Sequence, residues 1–377
     1  MRSTFANAVR IPDAKRVGGT LQPVALTVAA SSLVLAFIGA LTIHSASSEL
    51  AVQYLPRQMA WIGLGMVAMA VGFLVDYHVW LRLSAWLYGL GILAVGLILL
   101  FGHEAGGARS WIGIGSFGGQ PLDPAKLATA FVLARYLGKV RYEYLDLRHI
   151  FAASVLAGIP MVLIALQPDY GGAAMFAPVL GGMLWVAGIR PRLIVATAVV
   201  GLVLGAGLWT FGMQDYQKER VLNFIDSERD PLGTGYQLRQ SKIAVGSGSL
   251  LGRGYMQGTQ SRLRFLPARH TDFVIAVLAE EQGFLGILVV FFFYILFLGG
   301  GARIALRARD RSGMLLAAGL LAALAVHVLY NTAMVIGFLP VTGIPLPFLS
   351  YGGSFTLFCF FATGILLGID SRRYVNL

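Results

Sequence analysis

Charged side chains and cysteines are scarce in this sequence, and each shortage excludes a class of protein. Only 12% of the 377 residues are Asp, Glu, Lys or Arg, whereas soluble domains carry about 25%, and this excludes a water-soluble fold. The single cysteine, Cys359, excludes an intramolecular disulfide and a thiolate metal cluster. The six histidines show no HExxH pattern and no clustering with cysteine, so a dedicated zinc site is not predicted.

Hydrophobic residues make up 57% of the chain and glycine contributes 47 residues, as is typical of closely packed membrane helices. We therefore predict an all-α polytopic membrane protein with ten transmembrane helices. The first apolar run lacks a small-residue cleavage site and is expected to stay in the membrane. The predicted spans, each long enough to cross about 30 Å of hydrocarbon, are 23–43, 58–75, 80–101, 124–138, 150–166, 171–188, 192–212, 273–298, 314–338 and 347–369.

The distribution of Lys and Arg sets the predicted orientation and domain plan. Basic residues cluster in the N-terminal tail and in the connections after spans four and eight, whereas the opposite side has only Arg57 and Arg109 in its short connections. The positive-inside rule then places both termini in the cytoplasm, and the +11 net charge is no sign of nucleic-acid binding. We predict tails at 1–22 and 370–377 around one membrane domain, 23–369, with a long extracytoplasmic loop, 213–272, between spans seven and eight.

Two basic residues stand near the outer entrance of span four. Arg109 and Lys126 could bind a phosphate, since guanidinium and ammonium groups both recognise phosphate oxygens. The alternative is structural: Asp123 and Lys126 pair at spacing i,i+3 on one helix face, and Arg109 reaches toward lipid headgroups.

A turn and a glycine-rich run are further candidates. Asp169 lies in Gln167–Gly172, where Pro-Asp followed by Gly-Gly also fits an ordinary outward turn. The run from Gly246 to Gly254 could hold a phosphate but lacks the spacing of a P-loop. Short helices are expected around 216–224 and 237–245 in the same loop.

The segment Phe265–Phe273, directly before span eight, carries the strongest candidate, Asp272. Thr271 and Asp272 are both competent helix N-caps, which is the structural interpretation. A carboxylate at the membrane interface beside Arg269 and His270 could equally act as a general base.

Taken together, these motifs resemble the SEDS membrane proteins of bacterial cell-wall synthesis over nearly the whole chain. The sequences of Gln240–Gly248 and Val341–Pro345 are similar to those of the elongation, or rod-shape, branch of that family. The motifs that carry the resemblance are Arg109–Ile112, Gln120–Lys126, Gln167–Asp169, Gln240–Ala244, Phe265–Pro267, His270–Phe273, Ala279–Glu281 and Pro345–Ser354.

The resemblance implies a peptidoglycan glycosyltransferase of the bacterial inner membrane that polymerises lipid II at the outer leaflet. It implies a class B penicillin-binding transpeptidase as partner, within the elongation machinery. Asp272 matches the family's essential aspartate and is the expected catalytic base. The expected substrate-binding residues are Arg109, Lys126, Asp169, Lys242, Arg269 and His270.

The chain departs from the family pattern at two places, and two other functions stay open. Leu122-Asp123-Pro124 stands where the family usually has Ser-Glu, and Ala268 stands where it often has Glu. The resemblance implies that no nucleotide cofactor is required, because the donor is already activated by its diphosphate. Mg²⁺ or Mn²⁺ could assist the diphosphate, but no ligand cluster in the sequence demands a metal. The alternatives are a transporter that flips a lipid-linked cell-wall precursor and a scaffold that only positions the transpeptidase.

Overall fold

The computed structural model describes residues 22–48, 54–101, 103–105, 108–114, 117–140, 145–190, 234–263 and 265–373, with scattered residues between 192 and 224. The helices whose bounds are described are α1 Pro23–Ser47, α2 Leu55–Leu74, α3 Tyr77–Phe101, α4 Leu122–Gly138, α5 Leu147–Ala165, α6 Tyr170–Ala174, α7 Ala177–Ala187, α8 Thr234–Ser247, α9 Thr259–Arg262, α10 Val274–Leu306, α11 Arg311–Ile336 and α12 Gly353–Ser371.

The helices follow the predicted spans closely. The described residues include eight membrane-length apolar helices, with α6 and α7 together forming one of them. Helix α4, at 17 residues, provides the predicted fourth span. Some predictions lie largely or wholly outside the described residues. They are the seventh span, 192–212, the helix expected around 216–224 and both tails. Helix α8 confirms the short helix expected around 237–245. The all-α polytopic fold class is confirmed.

A small antiparallel sheet between α3 and α4 was not predicted from the sequence. Its strands are β1 His103–Ala105, β2 Ala108–Ile114 and β3 Phe117–Gly119, in the order β1-β2-β3. In the sequence, Gly106-Gly107 and Gly115-Ser116 stand between these strands, and glycine is common between paired strands.

Helix α10 is longer than predicted and is kinked at Gly283, whose backbone has φ 65° and ψ −163°. Four backbone hydrogen bonds of 3.0–3.1 Å join residues 249–254 to residues 280–285 around this kink. The loop before α10 therefore supplies partners for backbone groups that an interrupted helix leaves unpaired, as burial in a membrane requires.

Replacing Gly283 by alanine is expected to lower the free energy of unfolding by more than about 1 kcal/mol, because this backbone region is almost exclusive to glycine. A Cβ atom at this position would also lie 2.3 Å from Gly252 N. Thermal unfolding in detergent measures the effect. Gly299→Ala is the control, since a Cβ atom there meets no atom within 4 Å; equal melting temperatures for the two variants would contradict the role of the kink.

The connection between α11 and α12 forms a buried loop, and this corrects the predicted start of the tenth span. Residues 347–352 are not helical, and α12 begins at Gly353. Leu346, Phe348 and Leu349 are at most 2% exposed, so their hydrophobicity reflects packing in a loop rather than a lipid-spanning helix. Tyr294 of α10 donates a hydrogen bond to Pro347 O and ties this loop to the centre of the bundle.

Candidate functional site

Asp272 lies immediately before α10 and its side chain is partly exposed. The N-cap residue of α10 is Phe273, which makes no side-chain capping hydrogen bond. Thr271 instead donates its hydroxyl to Ala268 O at 3.2 Å. The interpretation of Thr271 or Asp272 as the N-cap residue is therefore wrong, because the chain turns around Ala268 and enters the helix one residue later.

Side chains from α11 and from the loop before α12 hold the backbone next to Asp272. Asn331 Nδ2 donates to Asp272 O and to Ile344 O, both at 2.8 Å. Ser350 Oγ donates to Thr271 O at 2.6 Å. The Asp272 carboxylate faces Gly343, where a Cβ atom would lie 3.6 Å from Oδ2. The absence of a side chain at Gly343 thus leaves room beside the carboxylate.

Lys126 lies in a second polar cluster, inside the helix bundle. Its side chain is 0% exposed, and Nζ lies 3.4 Å from Asp123 Oδ1 and 3.2 Å from His327 Nε2. The ring of Phe358 lies 4.8 Å from the same atom. The i,i+3 pair of Asp123 and Lys126, one of the two interpretations of this motif, is present.

Asp169 is the N-cap residue of α6 and accepts a hydrogen bond from Gly172 N at 2.8 Å. Gln120 Nε2 donates to its other carboxylate oxygen at 3.1 Å. Burial raises the pKa of the Asp169 carboxyl, while these hydrogen bonds and the charge of Lys126 oppose the rise. The turn interpretation of Asp169 is thus present, and the carboxylate also feels the charge of the Lys126 cluster.

Four consecutive residues, 342–345, join these clusters, and we call them the 342–345 segment. A Cβ atom on Gly171, beside the Asp169 turn, would lie 2.9 Å from Thr342 O. Gly343 faces Asp272, as described above. Ile344 O accepts from Asn331, and Pro345 O lies 3.1 Å from His327 Nδ1. The structure therefore brings Asp169, Lys126 and Asp272 around one short stretch of backbone.

Arg109 and Lys242 lie on other elements of the fold, β2 and α8. Arg109 lies in β2, and its side chain is outside the described residues. Lys242 lies on α8 against the end of α11, where a Cβ atom on Gly337 would lie 2.7 Å from its Nζ. A lysine there also compensates the negative end of the helix dipole. Neither residue has a described contact with Asp272.

His270 and Arg269 lie beside Asp272 in sequence and are packed closely. The His270 ring stacks on Tyr54 with centroids 4.2 Å apart, and Tyr351 N donates to His270 O at 2.9 Å. Arg269 is 4% exposed. Burial, together with the positive charge of Arg269, lowers the pKa of the His270 imidazole below its usual range.

This lowered pKa predicts a pH effect on stability. Below the ordinary histidine pKa of about 6.5 the unfolded chain binds more protons than the folded one, so stability falls as pH falls through this window. His270→Phe keeps an aromatic ring against Tyr54 and removes the titration. We expect its melting temperature to drop less between about pH 7.5 and about pH 5 than that of the wild type; parallel curves would contradict this cause.

The glycine-rich run does not form a phosphate cradle. The N–H groups of Arg253 and Gly254 donate to carbonyls of α10, and Gly252 N donates to Gly248 O at 2.8 Å. Among the residues that the structure describes, no three His, Cys, Asp or Glu side chains are grouped to hold a metal ion. The described residues thus offer no cluster of three such ligands, although Mg²⁺ is usually held by one or two carboxylates together with substrate phosphates.

Asn331 and His327 also belong to these clusters, and neither is among the site residues predicted from the sequence. Both are nearly or fully buried on α11, four residues apart and therefore on one face of the helix. A pair of polar side chains at this spacing in an apolar span was the available signal.

The family model of the FtsW/RodA/SpoVE cell cycle proteins matches residues 25–375. The peptidoglycan glycosyltransferase MrdB of Escherichia coli (strain K12) is 40% identical over 343 residues, which cover 90% of this chain and 92% of the relative. The peptidoglycan glycosyltransferase RodA of Treponema pallidum (strain Nichols) is 32% identical over 416 residues, covering 92% and 96%.

Two solved structures share the fold. A chain from a peptidoglycan synthase complex that coordinates polymerization and crosslinking has a TM-score of 0.80 and 29% identity, covering 93% of this chain and 98% of its own length. The rod shape determining protein RodA of Thermus thermophilus has a TM-score of 0.69 and 26% identity, covering 93% and 97%. These likenesses confirm the ten-helix membrane fold and the SEDS resemblance, and the chain belongs to the FtsW/RodA/SpoVE family.

Proposed function

We propose that this protein is a peptidoglycan glycosyltransferase that polymerises lipid II into glycan strands during cell elongation. Its relatives MrdB and RodA are both named peptidoglycan glycosyltransferases. The observation that carries the proposal is the position of Asp272: a partly exposed carboxylate at the start of α10, with its backbone clamped by Asn331.

The proposed reaction transfers a glycan from one lipid-linked sugar to another. The 4-hydroxyl oxygen of the acceptor sugar forms a bond to the anomeric carbon of the donor, and the bond from that carbon to the diphosphate oxygen breaks with inversion. Asp272 takes the hydroxyl proton as general base. The polyprenyl diphosphate leaves with the electron pair of the broken bond, so negative charge grows on it as the bond breaks.

Positive charge near the leaving diphosphate lowers the energy of that step. Lys126 is sealed from solvent in this conformation, so its ammonium acts through its field in the weakly screening interior rather than by direct contact. Arg269 is also buried and would act in the same way. Arg109 and Lys242 are the proposed cations for the diphosphate and sugar groups, and His270 is a further proposed substrate-binding residue. Asp169 holds the turn before α6 and is proposed to orient the charged groups near it, including Lys126. A Mg²⁺ or Mn²⁺ ion bound to the diphosphate would add positive charge in the same place.

The protein is a multi-pass membrane protein, and we place it in the bacterial inner membrane. Both termini then lie in the cytoplasm and Asp272 lies at the outer face, in agreement with the distribution of Lys and Arg in the connections. The proposed partner is a class B penicillin-binding transpeptidase that crosslinks the strands.

The test is whether the purified protein, with its transpeptidase, polymerises lipid II. Lipid II with a fluorescent label is incubated with the complex in detergent, and the products are separated by gel electrophoresis. We expect a ladder of glycan polymer. If the wild-type protein moves labelled lipid between vesicle leaflets but never yields polymer, the transporter is correct and the proposal fails.

A further inference from the structure

Two of the site's polar clusters share one structural support, the face of α11 that carries His327 and Asn331. These residues are four positions apart, so their side chains lie about 6 Å apart along the helix axis. His327 contacts Lys126 and Asn331 contacts Asp272 O. Each of them also contacts a carbonyl of the 342–345 segment, at Pro345 and Ile344 respectively.

The hydrogen-bond chemistry fixes how His327 acts. Pro345 O can only accept, so His327 Nδ1 carries the proton and donates to it at 3.1 Å. In the neutral ring Nε2 is then an acceptor, and it receives an N–H of the Lys126 ammonium at 3.2 Å. His327 thereby directs the ammonium while leaving its positive charge intact.

Asn331 acts on the other half of the site. Its Nδ2 atom donates to two backbone carbonyls from different parts of the chain, one of them that of Asp272. Its Oδ1 atom is buried and accepts no hydrogen bond from the residues that the structure describes. A buried acceptor without a partner costs stability, so packing alone does not explain an amide at this position.

We propose that His327 and Asn331 are positioning residues that together set the distance between the general base Asp272 and the buried cation Lys126. This inference rests on the proposed function, in which Asp272 acts on the attacking hydroxyl and Lys126 acts on the leaving diphosphate of the same reaction. A group that is fixed before the transition state forms needs no rearrangement as charge develops. Loss of either support should therefore slow the chemical step more than it weakens substrate binding.

The test measures kcat and KM for lipid II polymerisation, per folded protein, in complexes that carry single substitutions. We expect His327→Leu and Asn331→Leu each to lower kcat about tenfold while KM changes less than about twofold. His327→Gln should recover most of the loss, because its amide can both donate to Pro345 O and accept from Lys126. Thr332→Val is the control, since Thr332 bonds only to Val328 O within its own helix among the described contacts, and it should match the wild type.

The outcomes separate this inference from the proposed function. Asp272→Asn is assayed alongside; if it is inactive and the His327 and Asn331 variants behave as stated, both proposals are supported. If His327→Leu matches the wild type, or His327→Gln is as slow as His327→Leu, positioning is overturned while the function stands. If the wild type makes no polymer, the function fails and the inference with it. Should His327→Leu not fold, His327→Met replaces it under the same criteria.

Discussion

Replacing Asp272 by asparagine lowers the rate of glycan polymerisation by about 100- to 10,000-fold, the usual contribution of a general base. Asparagine has nearly the same shape as aspartate but does not take up a proton from the attacking hydroxyl. The backbone carbonyl at this position still accepts from Asn331, so the local fold is retained. Polymer formation from labelled lipid II by the purified complex measures the effect.

A matched control for this change is Asp310→Asn. Asp310 is the N-cap residue of α11 and accepts from the backbone N–H groups of Ser312 and Gly313. Asparagine caps helices about as well as aspartate, and this position is about 30 Å along α11 from Asn331. Asp310→Asn should keep wild-type activity. An Asp272→Asn protein with more than about a tenth of wild-type activity would exclude the base assignment.

Replacing Lys126 by methionine is expected to lower the free energy of unfolding by about 3–5 kcal/mol, the usual cost of leaving one buried charge without its partner. Asp123 is the carboxylate left behind, and its side chain is only 5% exposed. Adding Asp123→Asn removes that charge, so the double variant should regain most of the lost stability. Chemical denaturation in detergent, followed by tryptophan fluorescence, measures both.

The activity of the same double variant separates a structural from a catalytic role of Lys126. If Lys126 stabilises charge on the leaving diphosphate, the stable double variant stays at least about tenfold slower than the wild type, since removal of one preorganised charge commonly costs more than that. A double variant that is both stable and fully active would show that the pair serves folding alone.

The fold was predictable because hydropathy and length identify membrane helices from local sequence alone. The start of α1 and the end of α3 were predicted at the observed residues. The errors have physical causes. Leu346, Phe348 and Leu349 are as apolar as a span but lie in a buried loop, and the kink at Gly283 depends on hydrogen bonds to a distant loop.

The candidate site was only partly predictable. Asp272 and Lys126 stand in recognisable motifs, but the contact of Lys126 with His327 joins residues 201 positions apart, and such a contact is set by helix packing. The same holds for Asn331, which is 59 positions from Asp272. Sequence alone could not show that Lys126 is buried beside Asp123 and His327, because its burial depends on how distant helices pack.

Two backbone carbonyls of the 342–345 segment accept the hydrogen bonds from α11, and this has a consequence for the changes that the segment can tolerate during evolution. Carbonyls at Ile344 and Pro345 accept the hydrogen bonds from α11, and carbonyls remain when the side chain at position 344 is exchanged. Insertion or deletion of a single amino acid would instead shift every carbonyl by one place and detach both α11 contacts at once. We therefore expect the length of the 342–345 segment to be conserved more strictly than the identity of its residues.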